Sequence, residues 1–189
     1  MPPDRLIVGL GNPGQDYADH RHNLGFWCLD RLAEKHQLRF NMRRARSLVA
    51  RGEIGGRDVV LAKPQTYMNV SGQAVKQLLI AWGIAPASLL VIYDDVDLPS
   101  GVLRMRERGG PGTHNGMRSI VESIGTSDFP RLRIGVGGPP PRSDMADYVL
   151  SPPSPDELAS LRDAVERAVE AVEAALREGP AVAMNRFNQ

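Results

Sequence analysis

The stretch HRHN holds His20, His22 and Asn23 just before a helix, and the apolar run LLVIY is followed by Asp94, Asp95 and Asp97. Histidine is the one side chain whose ordinary pKa places its charge change near neutrality, which suits it to take a proton from water. A histidine used in this way also needs an acceptor on its second ring nitrogen. Aspartates at the carboxyl end of a strand are candidates for that acceptor. Asparagines provide the complementary groups: Asn12 follows the first apolar run, Asn69 lies in KPQTYMNVSG, and Asn115 follows His114 in RGGPGTHNGMRSI. Amide donors of this kind can hold the oxyanion that forms when water adds to a carbonyl. Asn69 and Asn115 also fit as helix caps, and the glycines before His114 as a tight loop. No Gly-x-Ser-x-Gly elbow is present, and Cys28 falls on the apolar stripe of a helix, where a free cysteine packs as a small hydrophobe. His20, His22 and the aspartates carry metal-ligand atoms, but no second His/Cys cluster with ligand spacing accompanies them. The set points to direct attack of activated water on a carbonyl, with no metal, cofactor or side-chain nucleophile.

RLIVGLGNPG contains Gly9-x-Gly11-x-x-Gly14, the letter pattern of a dinucleotide-binding loop. That loop needs its third glycine in the first turn of a helix, so that pyrophosphate sits on the helix N-terminus. Pro13 interrupts the pattern here, the following GQDYADHRH is polar, and helical periodicity begins only near Asn23. Asp30, about 20 positions on, lies within a helix and not at a strand end. The context excludes a dinucleotide site.

A different ligand is suggested by charge. The chain has a net charge of +1. From Ser154 to Glu178, seven acids against three arginines give −4, which leaves +5 for the remainder. Six arginines fall between Arg39 and Arg57 and six more between Arg104 and Arg133. One cationic face suited to phosphates is the reading that follows. The glycine-rich turn before His114 leads into a helix and forms a ready anion site, with Arg104, Arg106 and Arg108 beside it to clamp phosphate.

The elements that must position these groups alternate. RLIVGL, SLVARGEI, RDVVLAKP, LLVIYDDV, GVLRMR and RLRIGVG read as strands. Helical patterns cover about Asn23 to His36, Ser71 to Gly83, GMRSIVESIG, and a long segment opened by a Ser154–Glu157 capping box and closed by Gly179. Asn69 precedes an expected N-cap at Ser71. Strands alternating with helices predict one α/β domain over 1–189, a three-layer α/β/α sandwich around a mixed, mostly parallel twisted sheet. One antiparallel pair is expected around GEIGGRDVV, and GGPPPRSDMADYVLSPPSP is expected to be an ordered but mobile loop over a site. No stretch approaches the roughly 20 apolar residues of a membrane span. The N-terminus lacks the basic region of a cleaved signal, and the single cysteine fits a reducing compartment, so a cytoplasmic protein is expected.

LIVGLGNPG, HRHNLGF, KPQTYMNVSGQAV, YDDVDLPSGVLRMR, GGPGTHNGMRSI and FPRLRIGVGGP occur in this order. Together they resemble the bacterial peptidyl-tRNA hydrolase family over nearly the whole chain, from Leu6 to about Phe187. The resemblance implies a monomeric, metal-free cytoplasmic esterase that cleaves the ester between a peptide and the terminal ribose of tRNA, without a cofactor. It implies that His22 is the general base, that Asp94 orients it, and that Asn12, Asn69 and Asn115 position the peptidyl group, the water and the oxyanion. Tyr17, Tyr67 and Met68 are implied as substrate contacts, His114 as a neighbour of the site, and Arg106 and Arg133 as holding tRNA phosphate. Thr113 stands where the family often has glycine, Arg106 replaces the more usual lysine, and Tyr93 sits where a histidine is frequent. Competing readings are a non-catalytic RNA-binding or splicing-type relative of the same fold, and hydrolysis of some other ester or amide.

Overall fold

The structure, a computed structural model, describes residues 1–188. Seven strands, β1 (Arg5–Gly9), β2 (Met42–Arg44), β3 (Ser47–Ile54), β4 (Arg57–Pro64), β5 (Leu89–Asp95), β6 (Leu103–Arg106) and β7 (Arg131–Gly135), form one sheet in the order β2-β3-β4-β1-β5-β7-β6. β4, β1, β5 and β7 are mutually parallel, and β2 runs in the same sense. β3 and β6 are antiparallel to their neighbours. The hairpin expected at GEIGGRDVV is the β3–β4 pair, turned by Gly55 and Gly56 at φ 60° and 79°. Both positions of such a two-residue turn need positive φ, which glycine adopts without a steric cost. The β2–β3 and β6–β7 antiparallel pairs are additional to the one expected.

Helices α1 (Leu24–Lys35), α5 (Pro155–Glu178) and α6 (Pro180–Phe187) cover one face of the sheet, and α2 (Ser71–Trp82) and α3 (Asn115–Ile124) the other. The central strand β1 shows why. Ile7 faces the α1/α5 core while Leu6 and Val8 face the α2/α3 core, and all three are fully buried. A strand buried on both faces reads as a continuous apolar run and not as an alternating one. Each such side chain contributes about 1.5–3 kcal/mol by burial.

α1 approaches β1 unusually closely. A Cβ at Gly9 would be driven into the Gly25 carbonyl and Leu29, and one at Gly25 into Leu10 and the Ile92 carbonyl. Gly9, the first glycine of the misleading fingerprint, is thus a helix–strand contact. Gly14, at φ 102°, precedes only a 3₁₀ turn, Gln15–Tyr17.

Three expectations are corrected. Ser71 is the first helical residue and not the N-cap of α2; the cap is Val70, and the Ser71 hydroxyl donates to the Met68 carbonyl (2.8 Å), fastening a 3₁₀ turn over Met68–Val70. Ser154 does accept from the Glu157 N–H (3.3 Å), but the Glu157 carboxylate is taken by Arg21 (2.9 Å), so only half of the capping box forms. The segment expected as a loop contains a short helix, α4 (Met145–Val149), whose Asp144 cap accepts from the Asp147 N–H (3.1 Å). Sequence patterns also miss β2 and α6. β2 is an exposed edge strand with no apolar face. α6 closes the far edge: the Asn188 side chain bonds both the N–H and the carbonyl of Met105 on β6 (2.7 and 2.8 Å).

Candidate active site

Open parallel sheets bind ligands outside the carboxyl ends of their strands, and here those ends carry the polar residues. Asp94 is next to last in β5, only 1 % exposed. His22 lies in a 3₁₀ turn, Arg21–Asn23, directly before α1. The Gly9–Gly25 approach brings that turn against the sheet, and His22 Nδ1 meets Asp94 Oδ2 at 2.8 Å. The second carboxylate oxygen meets His114 Nε2 at 3.0 Å.

The protonation of this relay follows from its outer bonds. His114 is the N-cap of α3, and its Nδ1 accepts from the N–H groups of Gly116 and Met117 (3.1 and 3.2 Å). Its proton therefore sits on Nε2 and points at Asp94. With His22 donating from Nδ1 to the same carboxylate, His22 Nε2 is left with a lone pair. Burial pulls the His22 pKa down, and the Asp94 charge and hydrogen bond more than reverse this, for a net rise. Burial pushes the Asp94 carboxyl up, but the two histidines outweigh it and hold the pKa well below the usual carboxylate range. Tyr93, packed edge-on against His114 with ring centres 4.9 Å apart, is pushed up to about 12, chiefly by burial, and stays neutral.

His22, Asp94 and His114 bring ligand-type atoms within 4.8 Å of one another. A cation there would need His114 Nε2 as a lone-pair donor, whereas the helix cap makes it a proton donor. The donor set fits a hydrogen-bonded relay and does not fit a metal centre.

Asn12 is held by Asn23, which accepts from its N–H and donates to its carbonyl, both at 2.9 Å. The Asn12 side-chain oxygen accepts from the Met68 N–H (2.7 Å), so its NH₂ group is the part left for a ligand. Asn69 and Asn115 are exposed, and their side chains have no hydrogen-bond partner among the described residues. Neither is a helix cap: Val70 and His114 hold those positions. Tyr17 and Tyr67 pack edge to face, 6.4 Å between ring centres.

All eleven residues that the resemblance assigns to the site, including Met68, Arg106 and Arg133, line one cleft of about 670 Å³. Its outer wall is α4, through Met145, Ala146 and Val149. Arg106 is exposed. Arg133 binds Asp95 through Nε (2.6 Å), which leaves both of its terminal nitrogens available. Of the other expected clamps, Arg108 lines the cleft and Arg104 does not. His20 stays outside it as well, its nearest acid being Asp19 at 3.9 Å.

Sequence reasoning passed over two residues and gave two others no specific task. Asn23, noted beside His22 in HRHN, is the buried partner of Asn12. Asp95, one of the candidate acceptors for the histidine, instead aims Arg133. Arg131, 1 % exposed, gives its guanidinium to the carbonyls of Ser127, Phe129 and Gly110 (2.8, 3.1 and 3.2 Å) and so fastens the glycine-rich turn. Arg21 donates to the carbonyls of Tyr148 and Ser151 and to Glu157, and stacks 4.0 Å over the Tyr148 ring. Nothing in local sequence marks the last two, because their partners lie in other segments.

The mostly parallel sheet with a buried histidine–aspartate relay at its strand ends is the architecture of an α/β protein with a hydrolase-type site. The chain belongs to the peptidyl-tRNA hydrolase family, whose sequence profile matches residues 6–189. It is 61% identical over 184 residues to the peptidyl-tRNA hydrolase of Chloroflexus aurantiacus, covering 97% of this chain and 98% of that one. It is 50% identical over 186 residues to that of Koribacter versatilis, covering 98% and 92%. The crystal structure of peptidyl-tRNA hydrolase from Acinetobacter baumannii matches with a TM-score of 0.92 at 39% identity, over 97% of this chain and 94% of that one. No described helix is long and apolar enough to cross a membrane.

Proposed function

We propose that this chain, acting as one domain and one monomer in the cytoplasm, hydrolyses the ester between a peptide's terminal carboxyl group and the terminal ribose of tRNA. The observation that carries the reading is the His22–Asp94 pair at 2.8 Å, which leaves His22 Nε2 as an unprotonated base in a cleft lined by free amides and arginines. Family membership supplies the substrate class.

His22 Nε2 takes a proton from water as the water oxygen adds to the ester carbonyl. Asp94 holds the imidazole in the tautomer this needs and stabilises the imidazolium. The Asn12 NH₂, with Asn69 and Asn115, positions the peptidyl group and the water and donates to the carbonyl oxygen as it becomes an oxyanion. Collapse breaks the bond to the ribose oxygen, which takes the proton back from His22, and free tRNA and peptide leave. General-base and oxyanion groups each contribute roughly 10²–10⁴-fold. Arg106 and the terminal nitrogens of Arg133 bind backbone phosphate. Tyr17, Tyr67 and Met68 contact the substrate near the ester.

The experiment is release of N-acetyl amino acid from N-acetyl-aminoacyl-tRNA with EDTA present. Turnover by the unmodified protein that is abolished in His22→Ala, with tRNA affinity retained, is the expected result. No turnover by the unmodified protein despite tRNA binding would overturn the reading and reinstate the non-catalytic one. The relatives are named as hydrolases, and no observation favours that alternative.

A further inference from the structure

The arginines between Arg39 and Arg57 have no part in the cleft. No acidic residue occurs between Glu34 and Glu53, or between Asp58 and Asp94. Arg43, Arg44, Arg46 and Lys76 are all exposed within these stretches, and none has a carboxylate partner among the described residues. The fold gathers Arg44, Arg46 and Lys76 on the α2 side of one corner, and Arg43 projects beside them from the other face of edge strand β2. Arg43 and Arg44 lie on edge strand β2, Arg46 is in the β2–β3 turn, and Lys76 is on α2, three residues after the Gln73 whose side-chain oxygen accepts from Arg46 (2.8 Å). Arg44 stacks 4.4 Å over Trp82 of α2 and donates to the Ala81 carbonyl.

This corner lies at the active-site end of the sheet. Ser47, which follows the turn, pairs with Pro64 at the carboxyl end of β4, and the Arg46 carbonyl accepts from the Gln65 N–H (2.8 Å). Tyr67, two residues further, lines the cleft. Arg133 on β7 and Arg46 beside β3 flank the relay from opposite sides. Four inter-strand steps separate those strands, about 19 Å at ~4.8 Å per step, comparable with the width of an RNA duplex.

From these observations, and resting on the reading above, we infer that the Arg43–Arg46 turn with Lys76 is a second phosphate-binding surface that grips the body of the tRNA, apart from the cleft that takes its acylated end. Unpaired cations without neighbouring acids give long-range attraction and backbone contacts that read no base. The turn itself is held against its preference: Ala45 and Arg46 have φ of 51° and 57°, where glycine or asparagine would sit without strain.

That strain makes a clean variant available. Arg43→Gln, Arg46→Gly and Lys76→Gln together remove three charges, ease one backbone position, and leave Arg44 covering Trp82. The measurements are kcat and KM as a function of salt for full-length N-acetyl-aminoacyl-tRNA and for the same ester on a short CCA oligonucleotide, with a thermal melt as a folding control. The expected result is a raised KM on full-length substrate, an unchanged kcat, and a salt slope shallower by about 0.9 for each phosphate no longer bound, with the short substrate unaffected. An unchanged KM and slope on full-length substrate would overturn the inference and leave an acidic protein as the occupant of this corner. An equal defect on both substrates would overturn it too, because the corner would then act through the cleft. Absence of turnover by the unmodified protein would sink the proposed activity, and binding of deacylated tRNA would still test the surface separately.

Discussion

Asp94 takes two N–H donors on its two oxygens, and this decides what a substitution there does. Asparagine has one oxygen, so in Asp94→Asn either His22 or His114 faces an NH₂ group. His114 is committed to its tautomer by the α3 cap, so His22 is the one displaced. The expected outcome is a kcat lower by roughly 10²–10⁴-fold with little change in KM, read by steady-state kinetics. The pH dependence has a definite sign. His22 must be neutral to act, and its pKa lies above the ordinary value, which is about 6.5. Activity therefore rises with pH through that raised value, and in the Asp94→Asn variant the acidic limb moves to lower pH. For stability, the raised His22 pKa contributes below about 6.5 and the contribution is lost as pH rises through the folded-state value. The depressed Asp94 pKa contributes above the ordinary carboxylate range and is lost as pH falls through the folded-state value. His114→Asn separates capping from relay, because asparagine caps a helix well but cannot reach Asp94 as Nε2 does. The melting temperature is expected to fall by the loss of one donor to buried Asp94 and not by loss of the cap, while the acidic limb of the rate profile moves upward as Asp94 turns its whole charge on His22. A histidine with strand-end aspartates was legible in the sequence as a type of site, but the residues alone left His20 beside His22 and Asp95 and Asp97 beside Asp94, and the family resemblance chose among them. The bonds of Asn23 and Arg131 were not legible, because a polar residue that bonds main chain in another segment leaves no local pattern.

Among the elements, α4 shows how far a local reading reaches. Pro, Gly and Ser around it read as loop, and its five residues are too few for helical periodicity to register. Its place over the cleft comes from tertiary bonds: Tyr148 Oη donates to the Val136 carbonyl (2.6 Å), and buried Arg21 binds the Tyr148 and Ser151 carbonyls. Arg21 is the neighbour of His22, so the wall of the cleft and the relay share an anchor. Arg21→Gln is expected to destabilise the fold by about 1–3 kcal/mol through unpaired carbonyls and Glu157, measured by urea unfolding. KM is expected to rise more than kcat falls, because the wall loosens while the relay keeps its bonds. The long helices and the buried strands were legible from period and capping. Edge strand β2 was not, since three exposed residues carry no apolar alternation and pair only because β3 is already in place.

At the scale of the whole molecule the charges are sorted. Acidic α5 packs on the α1 face, while Arg106, Arg108 and Arg133 line the cleft and the arginines of β2 and the β2–β3 turn stand at a corner of the same end. A net charge of +1 conceals this separation. The expected signature is kcat/KM on peptidyl-tRNA falling linearly with salt on a log–log plot, with Arg133→Ala shallower by about 0.9. Asp95, released from Arg133 in that variant, adds a free negative charge beside the cleft and deepens the loss of affinity. His22→Ala should leave the slope as it is, and an equal loss of binding in both variants would contradict this division of labour.

One side-chain amide has a reach beyond its size. Asn188 imitates a neighbouring strand by satisfying both main-chain groups of Met105, and the opposite border of the sheet is guarded by the arginines of β2. One margin is occupied at Met105 and the other carries charge, both features of edges that resist pairing with a second copy. The same bond fixes the strand immediately before Arg106. Occupying the outer margin of β6 and fixing the strand that carries Arg106 into the cleft are therefore one task, carried by a residue far along the chain from the relay.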